Sequence, residues 1–198
     1  MYDDSILWNQ AKMMLLNTKT SYGLVAIGLH WLSAVAVIGL FAVGFWMVDL
    51  TYYSEWYKTA PHLHKSIGLL LLLATLVRIF WRLFTAKPEG VVTHKRWEKS
   101  VSHITHYALY VLLLVIMFSG YLISTADDRG IWVFDWFEIP SLGAVIDDQA
   151  DVAGVIHQYA AYSLIALVVL HAVGALKHHF IDKDSTLVRI LKFNKTNV

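Results

Sequence analysis

The sequence predicts an all-α membrane protein, in which four transmembrane helices form one bundle and a single membrane domain over residues 1–198. Apolar residues make up 57% of the chain and charged residues only 16%, whereas soluble domains average about 45–50% and about 25%. Four stretches are also long and apolar enough to cross a hydrocarbon core, which takes about 20 helical residues. The third observation is the presence of ten histidines in so apolar a chain, because an ionisable side chain at membrane depth usually marks a functional site.

The four predicted spans cover, in chain order, approximately residues 24–48, 64–84, 101–124 and 152–177. The first contains one ionisable residue, His30, and the fourth contains His157 near its start and His171 deep inside. None of the spans has the short apolar core and small-residue cleavage site of a signal peptide. The chain is therefore expected to be a multi-pass membrane protein.

Two segments outside the spans have amphipathic sequence. Residues 1–20 are predicted to form either a helix on the membrane surface or a flexible tail. The connection from about Thr125 to Asp151 is predicted to contain a short amphipathic piece around Ile131–Phe137. This piece is rich in aromatic residues, which concentrate at the headgroup level of a membrane.

The distribution of Lys and Arg predicts the orientation of the chain. Of the 16 basic residues, 13 fall in the N-terminal segment, the end of the second span with the connection that follows it, and the C-terminal end. The other two connections contain only three, which are Lys58, Lys65 and Arg129. Because cytoplasmic segments carry the excess of basic residues, both termini are expected to be cytoplasmic.

The composition also excludes several kinds of site. The chain has no cysteine, which excludes disulfides, iron–sulfur ligation, thiolate metal sites and covalent haem attachment. The 16 basic and 15 acidic residues nearly balance, so binding of nucleic acid by a bulk basic surface is not expected.

Four histidines fall into two pairs at matching membrane depth. His30 and His171 each lie about seven residues from the cytoplasmic end of their spans. His64 opens the second span from the outer side, and His157 lies about one turn into the fourth span from the same side. The sequence therefore predicts two inter-helical histidine pairs, one in each leaflet.

The spacing within the fourth span favours two stacked haems. Fourteen residues separate His157 from His171, which places them on one helix face about 21 Å apart. A single metal or proton relay would place its ligands within one or two turns, whereas two haems each need an imidazole at such a separation. The alternatives are histidines that only pack, a cation transporter, which needs carboxylates in the spans, and a zinc site at His178 and His179.

Four stretches of sequence carry a family resemblance: IGLHWL around His30, HKSIGLLLLLATLVRIFWR from His64, SHITHYALY around His103 and His106, and IHQYAAYSLIALVVLHAVGALKHHFIDKDSTLVRIL from Ile156. They cover roughly residues 26–192. On these motifs the sequence resembles the bacterial cytochrome b561 family, whose members include a di-haem superoxide oxidase of the inner membrane.

The resemblance implies two b-type haems, ligated by His30, His64, His157 and His171, in a protein of the bacterial inner membrane. It further implies superoxide oxidation at the outer face coupled to reduction of ubiquinone, with membrane lipid and quinone as partners.

Three basic residues are predicted to support the haems. Arg78 and Arg82 are expected to pair with the propionates of the inner haem, because Arg binds carboxylates with two parallel hydrogen bonds. Lys65 is expected to do the same for the outer haem. The alternative for the arginines is ordinary anchoring at the cytoplasmic interface.

A quinone site is predicted near the cytoplasmic end of the fourth span. His178 follows His171 by seven residues, within about 20° of two full turns, so it lies on the same face below the inner haem. An imidazole there suits proton donation near neutral pH. His103 and His106, which open the third span, are the second candidates.

The sequence thus favours electron transfer between the outer face and a membrane quinone. The alternative is a haem-bearing anchor subunit of a hydrogenase- or dehydrogenase-like complex, which has no catalysis of its own and binds a partner subunit. The outer connections contain nine acidic residues against three basic ones, which disfavours an anionic donor at long range. His62, Lys58 and Lys65 are expected to offset this with a local positive region beside His64.

Overall fold

The computed structural model describes residues 14–91 and 93–192. Four long helices dominate it, namely α1 (Leu24–Met47), α2 (Trp56–Phe84), α3 (Arg96–Thr125) and α4 (Gln149–Phe180). Two short strands, β1 (Ile131–Val133) and β2 (Phe137–Ile139), lie between α3 and α4, and the short helix α5 (Val188–Leu191) follows α4. Of the amphipathic segment predicted at residues 1–20, residues 1–13 lie outside the described part, and Met14 and Leu15 are helical.

Each of the four long helices is long and apolar enough to span a membrane. Their apolar side chains point mainly outward: Val35 is 68% exposed, Phe118 59% and Leu170 66%. Such side chains need lipid around them, and a helix satisfies its own backbone hydrogen bonds there. The predicted class, an all-α membrane protein with four transmembrane helices, is confirmed.

The helices extend beyond the apolar stretches seen in the sequence. α2 begins at Trp56 rather than near His64, and α4 runs from Gln149 to Phe180 rather than from 152 to 177. Helical hydrogen bonding does not stop at the edge of the hydrocarbon, so polar residues continue the helix. At the start of α4 the buried side chain of Gln149 accepts from Val145 N and donates to Leu122 O, which fixes where the helix begins.

The described residues divide into two compact units, and each long helix contributes to both. The second unit comprises residues 33–75 and 106–168. Its core contains one buried residue from each long helix, which are Val37, Leu71, Leu113 and Leu164. Lipid tails are as apolar as these side chains, so close van der Waals packing, rather than exclusion of water, holds this layer together.

A β-hairpin packs within the second unit. β1 and β2 pair antiparallel, and Ile131 and Val133 are almost completely buried. The Ser66 hydroxyl on α2 donates to Trp132 O and accepts from Phe134 N. The predicted amphipathic piece is thus a hairpin with one face turned into the protein.

The first unit comprises residues 14–32, 76–105 apart from Val92, and 169–192. Hydrogen bonds from α5 connect the chain segments that make up this unit. The Arg189 guanidinium donates to Thr20 O and to Glu89 O, and Trp31 Nε1 donates to Ile190 O at 2.9 Å. These contacts hold the segment before α1 and the segment after α2 against α5.

Candidate functional site

The second unit contains one of the two predicted histidine pairs. His64 on α2 and His157 on α4 face each other with ring centroids 6.2 Å apart and ring planes inclined at 66°. The Nδ1 atom of His157 lies 2.9 Å from Ile116 O and 3.2 Å from Ser119 Oγ. A proton on Nδ1 satisfies the carbonyl and leaves the Nε2 lone pair available, as in metal-binding histidines.

Two glycines determine how closely these rings approach the neighbouring helices. A Cβ at Gly44 on α1 would meet His64 Cε1 at 3.1 Å, and a Cβ at Gly120 on α3 would meet His157 Cε1 at the same distance. Both contacts are tighter than ordinary van der Waals contact. Glycine is therefore required if the rings are to stay where they are.

These two glycines were not identified from the sequence. Gly68 and Gly174 also lie within about one turn of a histidine in the sequence, but a Cβ at either would meet nothing within 4 Å. A signal for Gly44 was present, since it follows His30 by fourteen residues on α1, the same spacing that relates His157 to His171 on α4.

The first unit contains the other predicted pair. His30 on α1 and His171 on α4 have ring centroids 6.4 Å apart and an interplanar angle of 64°. Arg78 on α2 approaches the same site, with Nη2 2.9 Å from His30 Nδ1. A guanidinium only donates, so Nδ1 of His30 accepts in this arrangement.

The two pairs have nearly the same geometry, and that geometry suits a bound metal. Two imidazoles that held one ion from opposite sides, each with its nitrogen at about 2.0–2.1 Å, would have their centroids about 6–6.5 Å apart. The observed separations are 6.2 and 6.4 Å. Imidazole nitrogens on helix faces are also the usual donors to b-type haem iron, so both pairs fit this group.

An apolar groove adjoins the pair in the second unit. It has a volume of about 340 Å³ beside His64, and Gly39, Ala60 and Trp46 contribute to its walls. Its lining is almost entirely apolar, which suits a flat, largely apolar ligand held by a few polar groups.

The other predicted residues take different positions. Arg82 is exposed one turn beyond Arg78 on α2, and Lys65 is half-buried next to His64. On α3 His103 is exposed and His106 is half-buried.

The local positive region expected beside His64 is reduced, because His62 is engaged by the hairpin. Its Nε2 lies 3.7 Å from the carboxylate of Asp135 at the hairpin turn. The charge of a protonated His62 would therefore be largely offset by its neighbour.

His178, near the end of α4, belongs to a cluster that sequence reasoning did not find. Its Nδ1 lies 2.7 Å from Asp182 Oδ2 and 3.1 Å from Asp184 Oδ2. Its ring stacks on that of His94 with centroids 4.3 Å apart. Residue 94 is separated from residue 178 by most of two helices and a loop, so no local pattern connects them.

The carboxylate of Asp184 is the centre of this cluster. It lies 2.9 Å from His94 Nε2 and accepts from Thr186 N at 2.8 Å. Burial acts to raise the pKa of Asp184, but the hydrogen bonds from Thr186 and His94 outweigh it and hold the pKa below its usual value. The group is therefore a carboxylate at neutral pH.

A second ion-pair group adjoins the cluster. Lys177 Nζ lies 2.6 Å from both Glu98 Oε1 and Asp182 Oδ2. This ammonium ties α3 to α4 within the first unit and neutralises much of the charge of its two partners.

Comparison with known proteins agrees with this geometry. Residues 21–193 match the family model described as prokaryotic cytochrome b561. The chain is 48% identical over 179 residues to cytochrome b561 homolog 2 of Escherichia coli (strain K12), which covers 90% of this chain and 95% of the relative. It is 26% identical over 175 residues to the probable superoxide oxidase CybB of Yersinia pestis, covering 86% and 95%. A cytochrome b562 of Cereibacter sphaeroides is 28% identical over 184 residues, covering 89% and 99%.

The family model covers most of the chain, and four long apolar helices are arranged with imidazoles between them. Such a protein resides in the bacterial inner membrane as a multi-pass protein. The chain belongs to the prokaryotic cytochrome b561 family and is a membrane electron-transfer protein with b-type haem.

Proposed function

We propose that the chain holds two haems b and transfers electrons from superoxide at its outer face to ubiquinone in the membrane. The observation that carries the proposal is the near-identical geometry of the two histidine pairs, with centroid separations of 6.2 and 6.4 Å. One haem for each pair uses all four histidines in the same way.

The protein's part at each pair is to hold the cofactor and exclude other ligands. When bound, haem supplies one-electron transfer at its iron. His64 with His157, and His30 with His171, would each hold one haem through two imidazoles. A haem held by two imidazoles would supply electron transfer to and from molecules that do not bind its iron.

Arg78 is proposed to change partner when haem binds. A histidine that ligates through Nε2 carries its proton on Nδ1, and a guanidinium cannot accept that proton. Arg78 must then leave His30 Nδ1, to which it is now 2.9 Å away. The guanidinium of Arg78 could then bind a haem propionate, because Arg binds a carboxylate with two parallel hydrogen bonds. The exposed Arg82 is proposed to assist from the next turn.

His178 is proposed to supply a proton to ubiquinone. It follows His171 by seven residues on the same continuous helix, so the two share a face. The carboxylates of Asp182 and Asp184 lie within 3.1 Å of its Nδ1. Quinone reduction takes up both electrons and protons, so an imidazole on the same helix face as His171 is placed to pass a proton to a quinone bound there.

The identity of the donor rests mainly on the relatives. A probable superoxide oxidase aligns over 86% of this chain at 26% identity. His62 lies 3.7 Å from the carboxylate of Asp135, whereas the half-buried Lys65 directly follows His64 in the chain. Lys65 is therefore proposed to attract the superoxide anion locally.

The experiment measures turnover by the purified, haem-loaded protein in detergent. Superoxide is generated enzymatically, and the reduction of haem and of added ubiquinone is followed in stopped flow. We expect reduced quinone from the wild type and from the control variant His179→Ala. His178→Ala should keep both haems reducible but deliver electrons to quinone at least about tenfold more slowly, as expected for loss of a positioned proton donor.

Two results would contradict the proposal. Haem that is present but not oxidised by quinone in the isolated chain would instead favour the role of an anchor subunit in a larger oxidoreductase. Wild-type quinone kinetics in His178→Ala would move the quinone site elsewhere, with His103 and His106 the next residues to vary.

A further inference from the structure

Three ligand atoms converge at the end of α4. Asp184 Oδ2 lies 2.9 Å from His94 Nε2 and 3.1 Å from His178 Nδ1. All three atoms lie within 4.8 Å of one another. They come from the loop before α3, the last turn of α4 and the loop after it, so only the folded chain brings them together.

These separations are close to those of a metal centre. A tetrahedral zinc ion with bonds of about 2.0–2.1 Å sets its ligand atoms about 3.3 Å apart. Asp184 Oδ2 lies 2.9 Å from one imidazole nitrogen and 3.1 Å from the other. Side-chain shifts of a few tenths of an ångström would bring both distances to that value.

The Nδ1 atom of His178 gives independent support. It is buried and makes no well-aligned hydrogen bond within the described residues, although two carboxylate oxygens lie within ion-pair distance. A buried polar atom without a hydrogen bond is costly. A metal ion in front of the lone pair would satisfy it.

The surrounding groups also hold the carboxylate in position. Asp184 is only 4% exposed, and Thr186 N donates to its other oxygen, Oδ1, at 2.8 Å. The hydrogen bond from Thr186 N leaves Oδ2 of Asp184 as the oxygen that faces the two imidazoles. Outer contacts of this kind orient ligands and strengthen metal binding.

The neighbouring acidic set is a poorer site. Glu98 and Asp182 lie beside His178, but Lys177 Nζ is 2.6 Å from an oxygen of each. The ammonium already neutralises them and would repel a cation. Among residues 14–91 and 93–192, no Lys or Arg forms an ion pair with the set made of His94, His178 and Asp184.

The chemistry of the ligands selects the ion. Two imidazoles and one carboxylate suit Zn²⁺ and related transition metals, whereas Mg²⁺ and Ca²⁺ prefer sets made of oxygen. Three protein ligands leave a fourth position for water.

We propose that His94, His178 and Asp184 form a binding site for a divalent transition-metal ion of the Zn²⁺ class, and that the bound ion inhibits quinone reduction. The ion occupies the nitrogen of His178 that would otherwise exchange protons. The inhibition rests on the role given to His178 under the proposed function, whereas the binding of the ion does not.

The first measurement is Zn²⁺ binding to the haem-loaded protein, by competition with a chromogenic chelator. We expect one saturable site in the wild type and in the control His179→Ala, which alters the adjacent histidine. His94→Ala and Asp184→Asn should each bind at least about tenfold more weakly, because losing even an outer contact of a ligand costs about 10–100-fold. The haem absorption spectrum of each variant verifies that it is folded.

The second measurement follows haem oxidation by ubiquinone as Zn²⁺ is added, relative to each protein's own zinc-free rate. Inhibition in the wild type and in His179→Ala, with at least about tenfold lower zinc sensitivity in His94→Ala, supports the proposal. Unchanged zinc affinity in both His94→Ala and Asp184→Asn overturns the metal site. Tight binding in the wild type without any inhibition upholds the metal site but overturns its regulatory effect and the assignment of His178 as proton donor.

Discussion

Individual glycines limit the position of the imidazole rings of His64 and His157 in the second unit. A methyl group at Gly120 would lie 3.1 Å from His157 Cε1 and 3.3 Å from its Nδ1. Nδ1 is the atom that approaches Ile116 O, so pushing the ring away also breaks the contact that orients it.

We therefore predict that Gly120→Ala weakens haem retention at the pair of His64 and His157 while leaving the fold intact. Replacing a helical glycine by alanine favours the helix by about 1 kcal/mol, so loss of haem would not reflect an unfolded helix. Haem content per chain and the melting temperature of the apoprotein are the two readouts. Gly154→Ala is the matched control, because a Cβ there meets nothing within 4 Å. Full haem content in Gly120→Ala would contradict the steric argument.

Sequence reasoning at this scale succeeded where membrane depth restricts the choice of partners. Matching depths predicted that His30 would meet His171 and that His64 would meet His157, and the structure places each pair within 6.4 Å. It did not find His94, because a residue in a loop has no depth or helical phase from which a partner can be inferred.

At the scale of elements, α4 supplies one histidine to each pair. His157 and His171 lie on one continuous helix that runs from Gln149 to Phe180. Their partners lie on different helices, His64 on α2 and His30 on α1. The two histidine pairs therefore share a helix but no residue.

We predict that His157→Ala and His171→Ala each remove about half of the haem, and that they remove different haems. Each pair needs both of its imidazoles for six-coordinate, low-spin iron. The pyridine haemochrome assay gives the haem content, and redox titration identifies the haem that remains. His103→Ala, at an exposed position on α3, is the control. If either variant lost both haems while still folded, or neither did, the assignment of two separate sites would be wrong.

The elements that the sequence predicted least well are those that do not follow hydrophobic periodicity. The hairpin of β1 and β2 has only three residues in each strand. Its turn contains Phe134 and Asp135, both with positive φ, although neither is glycine. Positive φ is unusual for phenylalanine, and Ser66 on a distant helix accepts a hydrogen bond from Phe134 N. Such a tertiary contact leaves no local signal in the sequence.

At the scale of the whole molecule, the distribution of basic residues predicts the orientation of the chain in the membrane. Thirteen of 16 Lys and Arg residues lie on one predicted side. In this orientation the proposed donor would approach His64 from the outer side, and the proposed quinone site near His178 would lie towards the cytoplasm.

We predict that Leu142 faces the periplasm and that Lys192 faces the cytoplasm. The natural chain has no cysteine, so Leu142→Cys and Lys192→Cys each carry a single label site without further engineering. Both positions are exposed. A membrane-impermeant maleimide should label the first variant in intact spheroplasts and the second only after permeabilisation. The reverse pattern would invert the topology and with it the proposed path of electrons.

The contacts of Arg189 have a consequence for the timing of biogenesis. Its guanidinium bonds to Thr20 O, a partner translated 169 residues earlier. At about 5–20 residues per second, that separation corresponds to roughly 10–30 s of synthesis. During this interval the segment before α1 has been synthesised, but Arg189, which donates a hydrogen bond to it, has not. The first unit, which includes His30 and His171, is therefore completed late, after all four long helices have been synthesised.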